Sequence, residues 1–498
     1  MAFISLLLAR DDVQDWHRDL IAMLRNDTHH VAVSWRAGRP KPPGMALIET
    51  LEQLLSRLPV RPNVSREREP QAILEQAAQD RPDIVFDLSG SDLPEPGSVV
   101  PLFDALAGDN ARDAALLDER APRLQLARLT GGEMHILADA LPALEYPWSL
   151  SAGRAAIARR LVHLIRAVAR DGSTRIGVTR AAPGRRSASL LAFISHSLAA
   201  RMARRLKKLV AHDGHWRIGW RPLGEGASLY DTLRMPPLSR WTWLEDDRQR
   251  YFADPFLIEH QGITYVFCEE FPYATRTGII SVFTLDDQGR ATKPRPVLDR
   301  GTHLSYPYVF SEGGHFWMMP ENAASGALEL YRADPFPDRW VLDRTLIAGR
   351  HLSDATPFRM NDRWWMVAAD HRFGDSAWDT LALFESDHRL GPWQACGEEA
   401  FMIDARCARS GGAVVQRNGA LWRPAQDCLS GYGGGLALCR LDAVSPSGLK
   451  QTVMAHLAPP AGAAFNGVHT LNLTERFEII DAAGWVSKRL SAPSVQRR

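Results

Sequence analysis

Short apolar runs and stretches with helical spacing of apolar residues alternate through the first third of the chain. "AFISLLLA", "HHVAVSW" and "PDIVFDLSG" have the length and composition of buried strands, while "DVQDWHRDLIAMLRN" and "EPQAILEQAAQD" have the apolar period of helices. Alternation of this kind predicts a Rossmann-like α/β domain with a parallel sheet over residues 1–170. The turn after "IVFDL" carries Ser89, Gly90, Ser91 and Asp92 at a strand's C-terminal end, where open α/β sheets bind ligands. A plain turn has the same composition.

The pattern changes over 171–235. Between Thr174 and Pro222 there are eleven Lys or Arg against one acid, Asp213. Within this basic linker, residues 188–210 ("SLLAFISHSLAARMARRLKKLV" and its first turn) place apolar residues at 190, 191, 194, 198, 202, 206 and 209, a helical period with a basic opposite face. Such a helix suits peripheral contact with an anionic membrane surface. It equally suits a linker helix packed on a neighbouring domain with its charges in water.

Over 236–490 the period shortens to that of strands, Gly and Pro punctuate every few residues, and one unit repeats. "DPFLIEHQGITYVFCEE" from Asp254 aligns with "YPYVFSEGGHFWMMPE" from Tyr306 and "DATPFRMNDRWWMVAAD" from Asp354. "GGAVVQRNGALWRPAQD" from Gly411 and "NGVHTLNLTERFEIID" from Asn466 complete the set. Each is an apolar run, a polar turn, an aromatic-rich run and a polar end. A third strand recurs after the first four copies, at 279, 328, 381 and 436. Multi-strand units repeating every ~40–50 residues predict a β-propeller, here five-bladed.

In each hairpin the start of the first strand and the end of the second lie on the same rim. Asp254, Glu269, Glu270, Glu321, Asp354, Asp370, Gln426 and Asp427 are thereby expected around the central funnel, with Asp254 and Asp354 at equivalent positions two blades apart. Isolated acids at strand ends also serve simply to keep sheet ends soluble. Several at equivalent positions beside Trp and Tyr favour a polar pocket.

Composition narrows the function. A chain of 498 residues predicts two or three domains, and 45% hydrophobic with 23% charged residues describes a soluble globular protein. A net charge of +1 gives no reason to expect nucleic acid. "MAFISLLLAR" lacks a basic leader and a cleavage pattern, and the five cysteines lack Cys-x-x-Cys spacing, so reduced thiols and a cytoplasmic location are expected. There is no Walker loop, no complete Gly-x-Gly-x-x-Gly turn and no Asp-rich metal spacing, so neither cofactor nor metal is predicted.

"ADPF", "LSYPYVF", "MPEN", the "SD" before "ATPF", "RWWMVAAD", "LGPW", "ARSGG" and "QDC" followed by "GYGGG" resemble the N-terminal domain of glucosamine inositolphosphorylceramide transferases and its bacterial relatives. That group is similar in fold to five-bladed arabinanase, levansucrase and invertase glycosidases. The resemblance implies a base or nucleophile at Asp254 and a second acid residue at Asp354. Where those glycosidases carry a general acid, at the start of blade four, this chain has Ser410, Gly411 and Gly412. Glu321, after Pro320, is the favoured substitute and Glu270 the alternative. The N-terminal region is similar to formyltransferase-type α/β domains but lacks their Asn-x-His-x-Ser loop, which implies binding or scaffolding there.

Glycosyl transfer needs one carboxylate for the oxocarbenium-like carbon and another to protonate the leaving oxygen. Tyr306, Tyr308, Trp378 and Tyr432 are candidates to stack on sugar faces, and Arg423, Asp427 and His469 to bind hydroxyls or phosphate. Two functions follow as expectations: a glycosyltransferase or glycoside hydrolase acting on a bacterial glycan or glycolipid, or a non-catalytic glycan-binding or scaffolding propeller. The retained Asp254, Asp354 and Glu321 favour the first, and the missing blade-four acid the second.

Overall fold

The computed structural model describes residues 1–37, 44–56, 81–172, 189–223, 227–371, 376–397, 400–459 and 465–488. The helix expected over "EPQAILEQAAQD" and the 173–188 part of the basic linker lie outside the described residues. The chain divides into two compact units, Met1–Met202 with Met402–Asp404, and Ala203–Phe401 with Ala405–Arg498.

The first unit is built on a seven-stranded sheet of β1 (Phe3–Ala9), β2 (His30–Arg36), β3 (Ile84–Asp87), β4 (Val99–Phe103), β5 (Leu106–Ala107), β6 (Leu124–Thr130) and β7 (Glu133–Ala140). The order is β2-β1-β3-β4-β6-β7, with β5 beside β4. Helices α1 (Asp15–Asn26), α2 (Met45–Ser56), α3 (Asp109–Leu117) and α4 (Leu150–Asp171) accompany it. Pairing is parallel from β2 through β4 and antiparallel from β4 through β7, so the sheet is mixed and not the expected all-parallel one. The reason is local. A helix separates β1 from β2 and allows a crossover, whereas β6 and β7 are joined by Gly131-Gly132, both at positive φ (60° and 86°), a hairpin that fixes antiparallel pairing.

Glu52 on α2 caps α4, its two carboxylate oxygens accepting from Leu150 N and Ser151 N at 2.8 Å each. The Ser89–Asp92 turn is tied to its neighbours, Ser89 to Asp87, Ser91 to Leu93 and Asp92 to Asn110. Asp87, 2% exposed, accepts from Ser89 N, Ser89 Oγ and Glu95 N, and from Arg36 Nη1 at 3.3 Å.

The second unit is a five-bladed β-propeller. Four blades are consecutive antiparallel sheets beginning at Arg250–His260, Ser305–Glu312, Leu352–Met360 and Val415–Arg417. The fifth is composite: Leu471–Leu473 and Phe477–Ser487 pair onward to Ala211–Pro222 and Thr242–Trp243. The third strand missing from the last repeat is therefore supplied by the segment before the first. The ring is closed by strands from its two ends, and the propeller needs residues well before position 236. Aromatic and aliphatic side chains of blades one to three form one continuous core, including Phe267, Tyr306, Met318, Tyr331 and Phe384. Ile218, Trp220, Phe477 and Ile479 seal blade five against blade one.

Candidate active site

The first strands of blades one to three share a one-residue irregularity. Pairing skips between Ala253 and Phe256, between Ser305 and Tyr308, and between Ser353 and Thr356. The residues inside these bulges, Asp254, Tyr306 and Asp354, have φ of 50°, 44° and 53°, a left-handed conformation that non-glycine residues avoid. Each bulge is held by a carboxylate of the preceding blade. Asp254 N donates to Asp481 Oδ2 (3.0 Å), Tyr306 N to Asp254 Oδ2 (3.2 Å) and Asp354 N to Glu321 Oε2 (3.3 Å). Strained backbone of this kind persists only where its surroundings fix it, and it concentrates at functional sites.

Asp254 is 4% exposed and lies in a chain of charges. His469 Nε2 stands 3.2 Å from Asp254 Oδ1, and His469 Nδ1 stands 2.9 Å from Asp481 Oδ1. Thr470 Oγ1 donates to Asp254 Oδ1 at 2.8 Å. Burial works against charge on His469, yet the two carboxylates outweigh it and raise the imidazole to about 10. Burial likewise opposes ionisation of Asp254, and His469 outweighs it and holds the carboxyl below its ordinary value. Asp254, His469 and Asp481 are close enough together to hold a cation. Asp481 already accepts from three backbone N–H groups, of Asp254, His469 and Thr470, and Asp254 from Tyr306 N and Thr470 Oγ1. The donors fit an imidazolium between two aspartates better than a metal, which would have to displace its proton. The Nδ1 contact has ion-pair distance but not hydrogen-bond alignment.

Glu269 faces the pre-bulge residue Ala253 in blade one, as Glu321 faces Ser305 in blade two, so these two glutamates are structural equivalents. Their surroundings differ. Among the described residues Glu269, 5% exposed, accepts a long bond from Tyr251 OH (3.2 Å), with His303 at 3.6 Å. Burial, and after it the charge of Asp254, push its carboxyl well above the ordinary range. Glu321 accepts from Ser353 Oγ (3.0 Å) and Asp354 N, and Arg409 Nη2 stands 3.7 Å away. Ser353 in turn contacts His371 Nε2 at 2.6 Å. Asp354, 2% exposed, accepts from Arg409 Nε (2.6 Å) and Gln426 Nε2 (2.9 Å). Burial pushes Asp354 upward, Arg409 opposes, and the neighbouring Glu321 and Asp254 add to the rise. Asp254, Glu269, Glu321 and Asp354 thus act on one another within a single cluster.

The remaining expected residues separate from it. Glu270 and Asp370 occupy one equivalent position in two blades, each paired with an arginine twenty residues earlier, Arg250 and Arg350; Ser281 Oγ adds a 2.6 Å bond to Glu270. Arg423 is fully buried and bonds to Ala408 O, Cys407 O and Gln451 Oε1, a clamp inside blade four. Asp427 pairs with His456 (2.8 Å). Tyr306 and Tyr308 are core side chains, 0% and 5% exposed, and not rim aromatics; Tyr306 OH meets Thr356 Oγ1 and Gly412 N. Tyr432 is 40% exposed, with Trp378 5.7 Å away and Trp216 6.2 Å away, and forms the aromatic wall.

Two members of the cluster escaped sequence reasoning. Arg409 lies within the "ARSGG" motif, whose serine and glycines drew attention as a missing acid. Asp481 ends the last hairpin, where the strand-end rule applied to the other blades would have found it.

Residues 245–475 match the family model described as glucosamine inositolphosphorylceramide transferase 1, N-terminal, so the resemblance in the motifs holds over most of the propeller. A protein of that name from Oryza sativa subsp. japonica is 31% identical over 249 residues, 48% of this chain and 32% of the relative. Another from Arabidopsis thaliana is 32% identical over 199 residues, 39% of this chain and 26% of the relative. The chain spans about a quarter to a third of the length of these curated plant relatives. Among solved structures, the catalytic domain of the Coprinopsis cinerea GH62 α-L-arabinofuranosidase is 12% identical with a TM-score of 0.34, covering 53% of this chain and 97% of that one. The Cellvibrio cellulosa α-L-arabinanase is 16% identical with a TM-score of 0.31, covering 40% and 77%.

Proposed function

We propose that the propeller axis is a glycan-processing site, transferring or hydrolysing a glycosyl group. The observation that carries this reading is a pair of neighbouring buried carboxyls shifted in opposite directions: against burial, His469 holds Asp254 below its ordinary value, while burial, and after it the charge of Asp254, push Glu269 well above its own. Opposed environments of this kind separate the base or nucleophile from the general acid. Asp254 faces the oxocarbenium-like carbon, and Glu269 delivers its proton to the leaving oxygen. Glu321 is the weaker acid candidate, since Ser353 Oγ and Asp354 N donate to it and Arg409 stands 3.7 Å away. With Asp354 and Arg409 it forms the polar wall that orients sugar hydroxyls. Tyr432 and Trp378 supply stacking faces. The names of the plant relatives make a glycan on an inositolphosphoryl sphingolipid the substrate class to test first.

A second reading, a non-catalytic glycan-binding propeller, is favoured by the Arg409–Asp354 ion pair, which occupies a carboxylate that a glycosidase would leave open. Turnover of nitrophenyl and alkyl glycosides separates the two. Asp254→Asn should cost about 10²–10³-fold on every substrate, the usual penalty for removing a group that faces transition-state charge. Glu269→Gln should be severe for alkyl and mild for nitrophenyl leaving groups. Wild-type activity in Asp254→Asn retires the catalytic reading. Glycan affinity with no turnover by the wild type establishes the second.

A further inference from the structure

Helix α5 (Leu190–Val210) packs one face and leaves the other bare. Phe193 and Ser197 are its buried residues, and Ser197 Oγ donates to Trp148 O at 2.7 Å. At about 100° per residue, Leu191, Leu198, Met202, Leu206 and Leu209 fall within an arc of about 80° on the opposite side. All five are exposed, Leu191 and Leu209 at 76% and 73%. The stripe runs ~27 Å along the axis at ~1.5 Å per residue. The helix carries five Lys or Arg and no acidic residue. Arg201, Arg205 and Lys208 lie along one flank of the stripe, between it and the buried face.

We infer that the exposed stripe of α5 docks the protein peripherally on an anionic lipid bilayer, the leucines entering the acyl boundary and the flanking cations meeting lipid phosphates. Among the described residues no helix is long and apolar enough to cross a membrane, so this contact lies in the interface plane. Charge selects the occupant. A second copy seated on the same face would oppose cations with cations. A stripe one side chain wide also falls far short of the ~800 Å² per partner typical of a stable protein interface. An anionic surface satisfies both the apolar stripe and the exposed cations Arg205 and Lys208 beside it, while Arg201 on the same flank already stands 3.5 Å from Glu52. This inference stands apart from the chemistry proposed for the propeller.

The test is flotation of the full chain with phosphatidylcholine vesicles, and with vesicles containing about one-third phosphatidylserine. Binding is expected only to the anionic vesicles, weakening several-fold when salt is raised from about 0.1 to 0.5 M. Leu198→Ser with Leu206→Ser should reduce it at least about tenfold, and Arg205→Gln with Lys208→Gln several-fold. Both pairs are exposed and should leave the melting temperature unchanged, which scattering and circular dichroism confirm alongside. Absence of binding to the anionic vesicles overturns the inference. So does binding that the serine pair leaves intact. A doubled mass by light scattering that the serine pair halves assigns the stripe to a second copy and also overturns it.

Discussion

Replacing His469 with glutamine removes the positive charge between Asp254 and Asp481 while nearly keeping the side chain's volume. The ring is 2% exposed, so solvent screens these interactions little. Its proton affinity rises from the ordinary 6.5 to about 10. At ~1.4 kcal/mol per tenfold change in proton affinity, the gap is worth about 5 kcal/mol of folding free energy. Because the folded value is the raised one, this contribution is fully present below pH 6.5 and is lost as pH rises through 10. The depressed carboxyl of Asp254 acts in the opposite, acidic window, where stability is lost as pH falls through its folded value, so the two effects do not overlap. Urea unfolding followed by tryptophan fluorescence reports the propeller, since twelve of the fifteen tryptophans lie at or beyond Trp216. The stability difference between wild type and His469→Gln should be constant up to about pH 6.5 and shrink steadily toward pH 10. Nitrogen-15 spectra should show His469 still as imidazolium at pH 8. Parallel stability curves across that interval, or an imidazole titrating near 6.5, refute the imidazolium pair and return the cluster to a metal-holding reading.

Glu270→Gln should lower propeller stability by about 1–3 kcal/mol, less than the full cost of breaking a buried pair because Arg250 is partly exposed; glycan affinity should not change, and denaturant titration with calorimetry checks both. A fragment beginning at residue 236 should be insoluble or molten, whereas one beginning near 205 should fold cooperatively, because only the longer one contains Ala211–Pro222; near-ultraviolet circular dichroism distinguishes them. Gly411→Glu, which places an acid where five-bladed glycosidases are expected to carry one, should fail to fold and not gain activity, as judged by soluble yield and melting temperature.

The repeat was legible because five hairpins share one pattern, and register then followed from the alternation of buried and exposed positions. The mixed sheet of the first unit was less so, since β4 and β6 have the same apolar composition as parallel strands, and the Gly131-Gly132 turn marks only the β6–β7 hairpin, not the antiparallel pairing that begins at β4. The rim acids were legible as a group but not in their roles. Glu269 and Glu270 are adjacent in sequence and point to opposite faces, one toward Asp254 and one toward Arg250, and a bulge of one residue decides which is which. The blade-four departure was legible only as an absence. The structure gives its cause: a Cβ on Gly411 would stand 2.6 Å from His469 O, and one on Gly412 would strike Leu471 O. The backbone of blade five fills the space an acid would need. With that position closed, Arg409 enters from the preceding turn and binds Asp354, so the axis holds Asp254, Asp481 and the Glu321–Asp354 pair against His469 and Arg409.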